Sequence, residues 1–450
     1  MSMSKRKFDE SCDCGESLKR SVISEVDKKR QCSLLLEDRL YFNKISGPHA
    51  AFCANSFSLG ELLEIISPVA SIHFNFEVDL LWIVSRYPAK CKELPISIVV
   101  GERDVFKLER DAKKASLNNI TVGGASLPIP YGTHHTKLSV LESDLGRLHI
   151  IISTANLVQG DWENKMQAFY HCSGFIFKDF DKNTTVSSFQ EDLVGYLDFY
   201  AKSRAWPLVE FWRDRIRNAN FSTEAKLISS VPGYHSGRNM VKFGHMRLRE
   251  LLSAMDYTVE KPIYHAQSSS IGSLGSKPEA WLLGQFLRSM NRGKKLEQEA
   301  LRIIYPCVED VRNSIEGYVA GSSLPYSKAT SSRQPYLMSM LHKWRCEKLG
   351  RTRAMPHLKT YSAFNDGETK PIWLIVTSAN LSKAAWGELQ KNSTQLAVRS
   401  YELGVLLTDD NSLNMLPYDM PLTKYSATDR VWVWDDIYKE PDIYGTFWPP

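Results

Sequence analysis

No run of 18 apolar residues occurs in the 450-residue chain, and its N-terminus lacks the apolar stretch of an export signal. A membrane-spanning helix is therefore excluded, and a soluble, intracellular protein is expected. The 8 cysteines are scattered, with no C-x-x-C pair, so neither a thiolate zinc site nor a disulfide framework is expected and a reducing compartment fits best. Excess charge is also scarce: 56 Lys and Arg stand against 51 Asp and Glu, a net charge of +5. That mild surplus permits a polyanionic partner without marking a histone-like binder. H-E-x-x-H, P-loop and paired-Asp metal patterns are all missing, so no metal and no other cofactor is expected. Nor is there an amphipathic segment or lipid-binding module that would seat the chain on a membrane.

The composition that is present, 43% hydrophobic and 11% aromatic, is that of a globular protein too long for one core. Residues 1–33 are polar and read as a disordered basic tail, in which Lys5, Arg6 and Lys7, then Lys19 and Arg20, resemble a split nuclear import signal. From residue 34 the pattern alternates between helix and strand. Helices are expected over 59–67 and 77–87, and strands over 96–100, 134–141 and 148–154. Long helices interrupted at Pro207 follow over 187–220, then a polar junction over 222–237. The order then recurs: helices over 247–255 and 278–290, a turn at Asn365–Gly367 and a strand over 373–377. Two similar α/β domains are expected, 34–224 and 225–450, each a mixed sheet sandwiched by helices.

The recurrence is sharpest where it carries chemistry. His135-Thr136-Lys137 is followed by Ser153-Thr154-Ala155-Asn156, and His357-Leu358-Lys359 by Thr377-Ser378-Ala379-Asn380. The His-to-Asn separations are 21 and 23 residues, and in both copies a Trp, Trp162 or Trp386, lies 6 residues beyond the Asn. A duplicated half explains both copies at once. On an extended strand His135 and Lys137 share a face, as do His357 and Lys359. One copy alone reads more simply as a half-buried strand histidine beside a solvated lysine, and the tryptophans as core packing. The duplication reverses that reading.

Two imidazoles, two ammonium groups and two amides meeting across a pseudo-two-fold axis suit phosphodiester cleavage. Lysines and asparagines neutralise the non-bridging oxygens, one neutral imidazole attacks phosphorus, and the other moves protons. No metal is needed, because the lysines supply the positive charge.

These residues resemble the phospholipase D superfamily and, within it, the tyrosyl-DNA phosphodiesterase branch. The superfamily pattern carries an Asp five residues beyond the Lys; here Glu142 and Phe364 stand there, a departure that the tyrosyl-DNA branch shares. YGTHHTKL at 131–138, SSSIGSLG at 268–275, MPHLKTY at 355–361, TSANLSKAAWG at 377–387 and RSYELGVL at 399–406 carry the likeness further. It implies that His135 is the nucleophile, His357 the general acid and then base, and that Lys137, Lys359, Asn156 and Asn380 bind the phosphate. It further implies that Gln167 and Glu402 orient the two histidines. The residues themselves do not select that pair: it lies 11 and 22 residues beyond its asparagines, and Glu402 alone reads as a surface or ion-paired carboxylate.

On the substrate side the resemblance implies a narrow groove for single-stranded or duplex DNA 3′ ends and a bowl for a topoisomerase I-derived peptide. Tyr131 could stack on a base or pack in a strand. Ser270 and Ser273 could meet a phosphate or form a plain turn. Trp448 could close the peptide side or dock a tail. The expected activity is release of 3′-blocking adducts from DNA in the nucleus by a monomer. The rivals are a lipid-directed or general phosphodiesterase of the same superfamily and a catalytically silent DNA-binding protein.

Overall fold

The computed structural model describes residues 36–46, 55–177 and 186–449. The tail and its basic clusters lie outside them. Among the described residues the strands gather into two large mixed sheets and a smaller three-stranded one. The first sheet uses β1 (Arg39–Asn43), β2 (Ser56–Phe57), β3 (Pro68–Phe74), β4 (Ile96–Gly101), β5 (Ile120–Ala125), β6 (Leu138–Ser143), β7 (Arg147–Ser153), β8 (Ala168–Ile176) and β9 (Ala219–Phe221). The second half contributes β10 (Lys226–Ser230), β11 (Gly233–Ser236), β12 (Pro262–Gln267), β13 (Leu301–Ile304), β14 (Leu341–His342), β15 (Lys359–Asn365), β16 (Trp373–Thr377), β17 (Glu388–Gln390), β18 (Gln395–Val398) and β19 (Glu402–Leu407).

The repeat is explicit in the strand order. The first sheet runs β8-β7-β6-β3-β4-β5 and the second β19-β16-β15-β12-β13-β14. In both, the first four strands of the series are antiparallel neighbours and the last three are parallel. The fold is thus α/β, built from two halves of like topology. Strands β16 and β19 are buried along their whole length, which is why they read as continuous apolar runs instead of alternating ones. One connected core, from Leu40 through Trp448, joins both sheets, and the described residues from Glu37 onward form one compact unit.

Local signals fix several elements. The helix Leu59–Ile66 begins at Ser58, whose hydroxyl accepts from the Glu61 N–H while the Glu61 carboxylate accepts from the Ser58 N–H, a reciprocal cap. Pro207 does not interrupt a helix; it sits in the first turn of Trp206–Arg217, where its missing N–H costs nothing. The polar stretch 222–237 lies between β9, in the first sheet, and the second half, and itself carries β10 and β11, which pair with β19 and β18. His135, Lys137 and His357 are also not strand residues proper. They occupy extended segments just ahead of β6 and β15, with Lys359 the first residue of its strand. No helix among the described residues is long and apolar enough to cross a membrane.

Candidate active site

Each His-x-Lys segment is held by main chain from the opposite half. The His135 N–H donates to the Tyr401 carbonyl at 3.0 Å, and the Tyr401 N–H to that of Thr133 at 2.9 Å. Reciprocally, the His357 N–H donates to the Met166 carbonyl at 3.1 Å, and the Met166 N–H to that of Met355 at 3.0 Å. Tyr401 and Met166 immediately precede Glu402 and Gln167, so the cross-half bridges place His135 beside Glu402 and His357 beside Gln167. Gly132 makes the first bridge possible: a Cβ there would overlap the Arg399 carbonyl oxygen. Within each half the ladder brings the Asn round. The Ser153 N–H donates to the Lys137 carbonyl at 2.9 Å, and Lys359 pairs with Thr377, so Asn156 and Asn380 lie just past the ends of β7 and β16.

Gln167 and Glu402 do obey the repeat. Gln167 immediately precedes β8 and Glu402 opens β19, equivalent strands in the two sheets. The additional spacing in the second half is taken up by the hairpin β17–β18, which pairs with β11 to form the three-stranded sheet.

His135 Nδ1 lies 2.9 Å from Glu402 Oε2, and the Ser378 hydroxyl donates to the same oxygen. His357 Nδ1 lies 2.9 Å from Gln167 Nε2 and 3.1 Å from Asp161 Oδ2. Thr154, the counterpart of Ser378, donates to Gln167 Oε1 at 2.7 Å. The two lysine ammonium groups donate to the carbonyls two residues back, Lys137 to His135 at 3.1 Å and Lys359 to His357. Asn380 Oδ1 accepts from Ser268 Oγ at 3.0 Å, Ser269 Oγ at 3.1 Å and the Ser270 N–H at 3.0 Å, which fixes its amide oxygen inward and leaves the NH2 free. Asn156 Oδ1 is buried without a hydrogen-bond partner.

Burial governs the charges. It lowers the proton affinity of both imidazoles, His357 to about 3 against the opposing pull of Asp161. It lowers Lys137 to about 8, with Glu402 and Asp161 pulling back, and Lys359 well below the usual ammonium range, where the Lys137 charge adds to the effect. Burial pushes the Glu402 carboxyl up, but the neighbouring His135 and Ser378 bring it below its ordinary value. The same opposition, with His357 and Lys165 as partners, holds Asp161 well below the carboxylate range. Charges reach across the halves: Lys359 disfavours protonation of His135, and Lys137 that of His357. Both imidazoles and both lysines thus hold their protons weakly, and the negative charge of a bound phosphate would strengthen that hold.

Asp161 is the residue that sequence reasoning missed. The second half has Ala385 at that position, five residues past Asn380, so the repeat could not reveal it; it stands beside the repeat marker Trp162. Phe76 was missed for the same reason. Its ring lies 5.4 Å from that of His135 and 5.9 Å from Lys137 Nζ, while the residues that follow β12 in the second half are Ser268, Ser269 and Ser270.

The remaining sequence candidates are placed as follows. Tyr131 is 88% exposed with φ of +62°, an unusual backbone for an aromatic residue, so it does not pack in a strand. Ser270 joins the Asn380 cluster through its N–H, whereas Ser273 is exposed on the loop beyond. Trp448 is 9% exposed, donates from Nε1 to the Trp434 carbonyl at 2.8 Å and packs on Trp432; Trp434 is the more exposed ring, at 45%. Among the described residues no three His, Cys, Asp or Glu side chains are arranged to hold a metal ion.

A model of the tyrosyl-DNA phosphodiesterase family matches residues 39–426. The chain belongs to that family. It is 42% identical over 444 residues to a probable tyrosyl-DNA phosphodiesterase of Caenorhabditis elegans, covering 95% of each chain. Tyrosyl-DNA phosphodiesterase 1 of Arabidopsis thaliana is 34% identical, with 85% of this chain and 72% of the relative aligned. A crystal structure of a substituted yeast tyrosyl-DNA phosphodiesterase superposes with a TM-score of 0.71 at 19% identity, over 87% of this chain and 98% of that one, a likeness of fold. The family places the chain among the phosphodiesterase hydrolases of the phospholipase D superfamily.

Proposed function

We propose that the chain hydrolyses the 3′-phosphotyrosyl bond between DNA and a trapped topoisomerase I peptide, and related 3′-blocking adducts, through a covalent phosphohistidine. The single observation that carries this reading is the pairing of two unlike histidine environments around one site lined by two buried lysines. His135 faces a full carboxylate, which holds the proton on Nδ1 and leaves Nε2 a free lone pair. His357 faces an amide and a shared carboxylate, which support either protonation state.

The phosphodiester binds with its non-bridging oxygens against Lys137, Lys359, Asn156 and Asn380. Its negative charge offsets the lysines and lets His357 take up a proton. His135 Nε2 then attacks phosphorus as the phosphorus–oxygen bond to tyrosine breaks, and His357 gives its proton to the departing oxygen. His357, now neutral, takes a proton from water as the water oxygen attacks phosphorus. The phosphorus–nitrogen bond breaks, freeing His135 and leaving a 3′-phosphate on the DNA. Exposed Tyr131 and Phe76 offer rings to bases beside the site. A nuclear, monomeric repair enzyme is the setting we propose, on the basic clusters of the tail.

The test is cleavage of a 3′-phosphotyrosyl oligonucleotide in excess EDTA, run beside phosphatidylcholine vesicles. We expect release of free tyrosine and a 3′-phosphate end, with no headgroup released. Headgroup release without oligonucleotide cleavage would establish the lipid-directed reading instead, and oligonucleotide binding without turnover the silent one.

A further inference from the structure

The two histidines differ in depth as well as in their nearest partner. Glu402, behind His135, receives only the Ser378 hydroxyl in addition. Asp161, behind His357, is itself neutralised: its Oδ1 lies 3.6 Å from Lys165 Nζ. That ammonium in turn lies 3.4 Å from both carboxylate oxygens of Glu316, a residue of the second half. Side-chain exposures of 3% for Asp161, 8% for Lys165 and 14% for Glu316 keep the row largely out of water, where charges act on one another with little screening. The row His357, Asp161, Lys165, Glu316 therefore alternates positive, negative, positive, negative whenever the imidazole is charged. Ala385 at the position equivalent to Asp161 leaves the His135 side without a counterpart.

We propose that Lys165 and Glu316 are positioning residues that set, through Asp161, how strongly His357 holds its proton, and so separate the proton-transfer imidazole from the attacking one. This rests on the acid and base role assigned to His357. Lys165 weakens the pull of Asp161 on the imidazole proton. Glu316 draws on Lys165 and restores part of that pull. The other charged groups facing His357 are Lys359 and Lys137, with Glu402 beyond them; Asp161 acts on both lysines, whereas neither Lys165 nor Glu316 is among the charges that act on them. Asn164 Nδ2 donates to Glu316 Oε1 at 3.4 Å, and Gly160 lies against the heads of both side chains.

A charge row makes a demand that a merely structural contact does not: removing its two outer members must move the histidine in opposite directions. Lys165→Met raises the proton affinity of His357, Glu316→Gln lowers it, and the double variant returns near the parent. The readout is deuterium exchange at the imidazole carbon of His357 in the full chain, followed by peptide mass spectrometry above the titration range, where the rate rises with basicity. A change of half a unit reads as about a threefold change in rate. We expect at least about threefold faster exchange for Lys165→Met and slower exchange for Glu316→Gln by a similar factor. The pH profile of single-turnover phosphotyrosyl cleavage should shift in the same two directions. Shifts of one sign in both variants, or none in either, would overturn the proposal. If Lys165→Met does not fold, Glu316→Gln alone decides, since only slower exchange agrees. Opposed exchange shifts in a protein that fails to cleave the phosphotyrosyl substrate would sink the functional reading and leave the charge row standing.

Discussion

Replacing Asp161 with Asn removes one charge at nearly constant volume, in a residue whose side chain is 3% exposed. The carboxylate accepts the Asn156 N–H at 2.8 Å and faces His357 Nδ1 at 3.1 Å. An asparagine can still accept the first bond through its oxygen, but it no longer stabilises an imidazolium. A hydrogen bond to a charged group is worth about 1.5–3 kcal/mol. At about 1.4 kcal/mol per factor of ten, roughly 10²-fold of the rate of tyrosine departure should be lost. The assay is single-turnover release from a 3′-phosphotyrosyl oligonucleotide, compared with a 3′-(4-nitrophenyl) phosphodiester whose leaving group departs without a proton. If Asp161 acts through the His357 proton, the nitrophenyl substrate should lose less than about tenfold. Equal losses on both substrates, with the melting temperature unchanged, would refute the reasoning and make Asp161 a scaffold for the Asn156 backbone.

Three further outcomes follow from the same geometry. Lys137, held by burial to about 8, is charged below that pH and neutral above it; kcat/KM for the phosphodiester should therefore fall as pH rises through that value, and a flat profile to about pH 10 would contradict the role of its charge. Tyr131→Ala should raise KM for single-stranded substrate about tenfold with kcat nearly constant, the loss of one stacking platform, as measured by steady-state kinetics. Gly132→Ala should cost about 1–3 kcal/mol in denaturant unfolding and lower kcat, because the new methyl drives the His135 segment away from Arg399 and Tyr401.

Much of the architecture was legible because the chain states it twice. His135 with Lys137, His357 with Lys359, and the two asparagines stood out as a repeat, and the sheets keep the same strand order around them. What repetition cannot mark stayed hidden. Gln167 and Glu402 occupy equivalent strand starts, but the β17–β18 hairpin displaces one of them in sequence, so spacing alone separated them. Asp161 and Phe76 lack counterparts in the other half, and an isolated carboxylate or aromatic residue carries no periodic signal. Within 222–237 the strands β10 and β11 went unread because they are short and each pairs with a strand more than 150 residues later, a long-range contact that local pattern does not register.

The most direct measurement is to map where DNA becomes attached when the second step is slowed. His357→Asn, incubated with a 3′-phosphotyrosyl oligonucleotide, should accumulate an acid-labile adduct whose peptide map places the phosphorus on His135; the His135→Asn variant should form none. An adduct on any other residue, or one that forms on the His135→Asn protein alone, would contradict two imidazoles from opposite halves acting in turn on a single phosphorus.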